Sequence, residues 1–193
     1  MAELENILAR LGKIFSSVRI KYVIVGGIAV IHYGHLRTTQ DIDVIIEDDQ
    51  KKFPELLKLF KKHDFDINND DFYQSYKEKS HITVFDKKSY LRLDIKVASK
   101  ILDKETLKNA IKEKIFNYEL FIASLEYVLI GKILFIGKID DIPDSELLEY
   151  QDILDFLTIY HANKDQIREK FLKEKVLEIG LESTLERLTS FKF

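Results

Sequence analysis

"YVIVGGIAVIHYGHLRTTQDIDVII" occupies residues 22–46, and its reading decides the fold. An apolar run ends at Gly26-Gly27. After thirteen intervening residues, Asp41 and Asp43 stand two apart inside a second apolar run. Carboxylates are costly to hold in a hydrophobic sheet unless water, a cation or a partner meets them. "KYVIV" (21–25) has too few polar residues for a wet face, which predicts a short strand central in its sheet. The glycine pair breaks that strand, and "IAVIHYG" reads as a short helix closed by Gly34. "QDIDVII" (40–46) is the next strand. Alternation sends Asp41 and Asp43 to one face and Ile42 and Val44 into the core.

Farther along, "HITVF" (81–85) and "SYLRLDIKV" (89–97) flank the polar turn "DKK" and predict a β-hairpin. In the second run Leu91, Leu93, Ile95 and Val97 face one way, and Arg92, Asp94 and Lys96 the other. If this strand neighbours 40–46, Asp41, Asp43 and Asp94 share one solvent-facing patch. Repulsion among three carboxylates opposes their ionisation, and a hard divalent cation relieves it. A half-wet strand also carries polar residues at every second position for no chemical purpose, but Asp is a poor strand former. Gly26-Gly27, at a strand end just before a helix, lets a phosphate approach backbone N–H groups, although such pairs also make ordinary turns. Strand, glycines, helix and acidic strand fall within about 25 residues, the size of one supersecondary unit.

Around this segment the pattern predicts amphipathic helices over 3–15 and 50–63, a helix over 104–114 and a strand over 115–123. The aromatics of "DFYQSYKEKSHITVF" read as core or rim beside a strand. His32 and His35 read as packing or surface residues and not as metal ligands. From Ser124 onward the chain turns helical. Ser124 is expected as a cap with Glu126 in the first turn, and further helices are expected near 145–161, 164–178 and 181–189. The expected class is α/β (α+β): a mixed sheet flanked by helices over 1–123, with a helical region over 124–193 packed on it as one body. The 193 residues are 46% hydrophobic, enough for a real core, and carry a net charge of −3. That charge gives no global attraction to nucleic acid or anionic lipid. The absence of cysteine excludes disulfides and thiolate metal sites. No apolar run reaches the length of a membrane span, and a cytoplasmic address without membrane partners is the expectation.

"VGG", thirteen residues, then "DIDV" resembles the hG[G/S]…Dh[D/E]h signature of the polymerase-β-like nucleotidyltransferase superfamily, where h is apolar. "GGIAVIHYGHLRTTQDIDVII" resembles in particular the minimal and toxin-type, AbiEii-like group, whose Arg-x-Thr-x-Asp-h-Asp string Arg37, Thr39, Asp41 and Asp43 match. "ASLEYVLIGKILFIGK" and "YQDILDFL" resemble its helical segments through Glu126, Lys132, Asp152 and Asp155. The sequence departs from the group at Gln151, where relatives often have Arg, and at Gly27, where Ser is common. The resemblance implies a nucleotidyltransferase core using two Mg²⁺ ions and an NTP such as ATP. It implies Asp41, Asp43 and Asp94 as catalytic and metal-holding residues, and Gly26, Gly27, Arg37, Thr39, Lys132 and Asp152 as nucleotide-binding. The acceptor would be a hydroxyl of tRNA, of protein or of a small molecule, and a toxin role would bring an antitoxin partner. The alternative from the same residues is a nucleotide- or partner-binding module without catalysis.

Overall fold

The computed structural model describes residues 2–191. They divide into two compact units: one takes the chain up to Ile28 and again Thr38–Ala123, and the other takes Ala29–Arg37 and the chain from Ser124 onward. The segment 29–37 thus belongs with the helical region and not with the strands on either side of it.

The first unit is built on strands β1 (Tyr22–Ile24), β2 (Asp41–Ile46), β3 (Phe65–Asp66), β4 (Ile82–Asp86), β5 (Arg92–Val97), β6 (Ile111–Ile115) and β7 (Tyr118–Ile122). They form one mixed sheet in the order β3-β4-β5-β2-β1-β7-β6, so β1 is interior, as its apolar character requires. β1 runs antiparallel to β2, with Tyr22 opposite Ile46, and parallel to β7. β2 and β5 are parallel, with Asp41 beside Arg92, Asp43 beside Asp94 and Val44 beside Ile95. The expected hairpin is present as β4–β5, antiparallel.

Helix α1 (Ala2–Val18) buries Ile7, Leu8, Leu11, Ile14 and Phe15. The helix packs on β7 and on α3 (Phe53–Lys62), whose Phe53, Leu56, Leu57 and Phe60 point inward. Phe60 meets Phe15 and Phe65 edge-on, at ring-centre distances of 6.1 and 5.4 Å. Helix α2 (Gly26–His32) starts at the glycines themselves, and the chain passes from the first unit to the second within it.

Four stretches fold differently from the sequence reading; in one, the helix expected over 164–178 is a 3₁₀ turn over Lys164–Gln166 and an extended Ile167 before the α-helix of Glu169–Glu178. Residues Asn69–Glu78, read as aromatics beside a strand, form helix α4. Asn68 caps it by accepting from the Asp70 N–H at 2.8 Å, and Asp70 and Asp71 sit in its first turn. The helix expected over 104–114 is split into α5 (Ile101–Lys108) and β6, because Ile111, Glu113 and Ile115 alternate with Lys112 and Lys114 and pair with β7. The run 145–161 is broken into α7 (Asp144–Leu147) and α8 (Gln151–Ala162), with Tyr150 extended between them.

In the second unit α6 (Leu125–Ile136) is apolar almost all round and buried over most of its length. It packs on α8 and on α9 (Glu169–Glu178), and α10 (Glu182–Ser190) closes against α8 and α9. Ser124 holds the N-cap position of α6, but its hydroxyl makes no capping bond and is buried without a hydrogen-bond partner. Among the described residues no helix is long and apolar enough to cross a membrane.

Phe60 is fully buried and central to the aromatic contacts of the first unit. Phe60→Ala is expected to lower stability by about 3–5 kcal/mol in urea unfolding.

Candidate active site

The β2–β5 register decides the geometry. Neighbouring parallel strands lie about 4.8 Å apart, and residues in register share a face. Asp43 therefore stands beside Asp94, and Asp41 one step along the same face. All three carboxylates are partly exposed, while Ile42, Val44, Leu93 and Ile95 on the other face are buried.

Each acid has neighbours that orient it. The Thr39 hydroxyl lies 2.9 Å from the Asp41 carbonyl oxygen and 3.0 Å from its Oδ1, so its single proton is shared within one turn. Thr83, opposite Asp94 on β4, donates its hydroxyl to Asp94 Oδ1 at 2.8 Å. Arg92, which the sequence reading placed on the polar face without a role, reaches both ends of the acidic row. Its Nη2 is 3.2 Å from Asp41 Oδ2, and its Nε is 3.4 Å from Asp94 Oδ2. Its place two residues before Asp94 in the polar register was the signal available.

Gly26 meets Asp43 closely. The residue has φ +60°, and a Cβ built on it would stand 1.9 Å from Asp43 Oδ2. The Val25 N–H donates to the Asp43 carbonyl at 2.9 Å, which fixes the strand end against β2. No side chain fits at residue 26 while Asp43 keeps its place. Among the described residues no three histidine, aspartate or glutamate side chains stand close enough to hold a metal ion as they are placed. The donor chemistry nonetheless suits a hard cation, since three carboxylates share one face, with the Arg92 guanidinium as its competitor for Asp41 and Asp94.

The remaining expected residues fall in the second unit and form a cluster there. Asp155, fully buried, is its centre. Lys132, buried on α6, places Nζ 2.5 Å from Asp155 Oδ2 and 2.7 Å from Asp152 Oδ1. Gln151 donates to Asp155 Oδ1 at 2.9 Å. His35 Nδ1 and Arg37 Nε lie 2.9 and 3.1 Å from the same oxygen. Lys132 is therefore not a solvated surface lysine, nor is Asp155 a surface acid, while Asp152 is half exposed. His35 and Asp155 complete a cluster that the sequence reading assembled only in part. Gln151, at the position where relatives often carry Arg, supplies a neutral donor to it.

Glu126 serves a different contact. Its carboxylate accepts from Arg168 Nε at 2.9 Å, Nη2 at 3.0 Å and backbone N–H at 3.1 Å. The guanidinium lies over the Phe171 ring, 4.8 Å from its centre. Burial pushes the Glu126 carboxyl up, but the Arg168 side-chain and backbone bonds outweigh it and hold the carboxyl below its ordinary value near 4.5.

No protein-family model matches the chain, and no curated protein matches it by sequence. Among solved structures it is similar to the antibiotic-resistance factor ANT(2'')-Ia, at 12% identity and a TM-score of 0.58 over 97% of each chain. It is similar to an antigenic nucleotidyltransferase-like protein from Paracoccidioides brasiliensis, at 18% identity and a TM-score of 0.55, covering 92% of this chain and 93% of that one. It is also similar to the lincosamide antibiotic adenylyltransferase LnuA, determined with lincomycin bound, at 12% identity and a TM-score of 0.51, over 82% and 96%. At such identities the likeness is one of fold.

Gly26→Ala is expected to cost about 1–3 kcal/mol through the left-handed backbone alone, and more through the displaced Asp43 carboxylate, read as a lowered urea midpoint. Gly131→Ala, with open space around its Cβ in α6, is expected to be neutral or stabilising by up to about 1 kcal/mol. For Glu126, a depressed folded pKa means that its stabilising effect is full above 4.5 and is lost as pH falls through the folded value. Glu126→Gln is expected to flatten that acid limb in unfolding midpoints measured from pH 3 to pH 6.

Proposed function

We propose that the chain, which has the nucleotidyltransferase fold, moves a nucleoside monophosphate from an NTP to a hydroxyl acceptor with Mg²⁺ as cofactor. The observation that carries this reading is the register that sets Asp43 beside Asp94, with Gly26 kept bare against Asp43. Asp41, Asp43 and Asp94 would hold the metal, with two ions expected. When bound, Mg²⁺ neutralises triphosphate charge and stabilises the entering and leaving oxygens of an in-line displacement.

The chain's own groups have separate tasks. At the start of α2 the backbone N–H groups of Gly26 and Gly27 would meet a phosphate, the side-chain space of Gly26 being taken by the Asp43 carboxylate. Thr39 fixes Asp41 and Thr83 fixes Asp94, so neither carboxylate has to be ordered at the moment of reaction. Asp94 Oδ2 is the atom to receive the acceptor's proton. The acceptor oxygen then bonds the α-phosphorus, the bond to the bridging oxygen breaks, and pyrophosphate leaves. Lys132, Arg37 and Asp152 form a charged cluster suited to triphosphate, in which phosphate oxygens would compete with Asp152 for the Lys132 ammonium.

A small-molecule hydroxyl is the acceptor class favoured by the lincosamide adenylyltransferase among the similar structures. A tRNA or protein hydroxyl, with a toxin role and an antitoxin partner, is the reading favoured by the AbiEii-like string Arg37, Thr39, Asp41, Asp43. A nucleotide-binding module of the same fold without catalysis is the second reading. Arg92 favours it, since the acidic row is already partly neutralised without metal.

Incubation with Mg²⁺ and each α-labelled NTP, against RNA, the protein itself and lincomycin, is expected to label one acceptor. Asp43→Asn and Asp94→Asn are expected to cut transfer by about 100-fold or more with the unfolding midpoint retained. Equal activity in both variants would remove the acids from the chemistry. NTP binding without transfer to any acceptor would select the module.

A further inference from the structure

We propose that the first unit carries a second ligand site, for a small phosphate-bearing molecule with an aromatic or apolar body, at the end of the sheet away from the acidic face. A cavity of about 830 Å³ opens there, within the size range of small-molecule sites. Its wall includes Tyr22 at the start of β1, Glu47 just past β2 and Ala98 just past β5. Gly26 and Asp41 lie at the opposite ends of β1 and β2. Four residues of extended strand separate Asp43 from Glu47, about 13 Å. The cavity is therefore not part of the acidic site.

Its charge points to an anion. Arg19 and Lys21 line it from the turn between α1 and β1, and Lys104 and Lys108, one helical turn apart, line it from α5. Among the described residues, none of these four side chains has an ion-pair partner. The two acids in the wall are already engaged. Glu47 accepts from Lys52 Nζ at 2.7 Å and from the Lys21 N–H at 2.9 Å, and Asp48 accepts from the Tyr76 hydroxyl at 2.9 Å. In a chain of net charge −3, four unpaired cations around one mouth form a local exception. Behind them the wall is aromatic: Phe15 and Tyr22 stack at 4.4 Å between ring centres, and Phe121 meets Tyr22 edge-on at 5.7 Å.

Arg19 supplies an independent observation. The Ile20 N–H bonds back to the Phe15 carbonyl and the Arg19 N–H to the Ser16 carbonyl, the Schellman closure of α1. Residue 19 takes the left-handed position of that motif, with φ +56°, where glycine is favoured. An arginine there sets a cation on the cavity mouth against the backbone's own preference.

Calorimetry of the full chain with inorganic tripolyphosphate, in EDTA and in an Asp41→Asn/Asp43→Asn background, tests the phosphate part. Displacement of the fluorescent anion 1-anilinonaphthalene-8-sulfonate tests the aromatic part. Tripolyphosphate is expected to bind with salt-dependent affinity and to displace the fluorophore. Lys104→Glu/Lys108→Glu is expected to weaken it by about tenfold or more. Arg19→Gly is expected to weaken binding while raising the melting temperature, a pairing that general damage to the fold would not produce. Absence of tripolyphosphate binding, or equal affinity in the lysine and Arg19→Gly variants, would overturn the site. Equal affinity in these variants leaves nucleotidyl transfer untouched, because Lys132 and Arg37 are unchanged in them.

Discussion

The contact between Asp43 and the bare backbone of Gly26 is the constraint on which the acidic face depends. Asp43 is held by the β2–β5 register on one side and by the Val25 N–H on its carbonyl. Its carboxylate then lies where any side chain at residue 26 would have to go. The left-handed backbone at residue 26 lets the chain turn from β1 into α2 in the same step. One glycine thus ends a strand, opens a helix and leaves room for the carboxylate. The acids and the glycines of the opening stretch are two halves of one packing arrangement.

Electrostatics organise the second unit differently. Asp155 has no exposure to water, and a buried carboxylate is tolerable only when positive charge and hydrogen bonds meet it. Lys132, Gln151, His35 and Arg37 meet it from three segments of the chain. Removing one cation from such a set leaves a charge that the interior cannot solvate. Glu126 and Arg168 repeat the arrangement nearer the surface, with a fork of two guanidinium bonds. These ion pairs tie α6 to α8 and to the start of α9.

What the sequence disclosed follows from the range of each force. Period-two alternation and the apolar run of β1 are local, so β1, β2 and the β4–β5 hairpin were legible, and so was the shared face of Asp41 and Asp43. That Asp94 joins them needs the pairing of β2 with β5, and residues 89–97 state that pairing only as a condition. Helix α4 was missed because few of its residues are apolar: Phe72 alone is buried, and the signal lay in Asn68 as a cap. The strand β6 was merged into a helix because its lysines suit either element. The burial of Asp155 was not legible, because a buried carboxylate can be recognised only by its partners, and two of them, His35 and Arg37, lie more than a hundred residues earlier.

That separation has a consequence for biogenesis. Residues 29–37 leave the ribosome early, yet the carboxylate that binds His35 and Arg37 is made only with α8, as is Asn163, whose side-chain amide donates to the Tyr33 carbonyl at 2.9 Å. At about 5–20 residues per second, the nascent segment waits on the order of ten seconds for its partners. During that interval His35 and Arg37 lack the Asp155 carboxylate they pair with in the folded chain. Cutting the gene at residue 123 would keep the first unit whole and leave the second without residues 29–37.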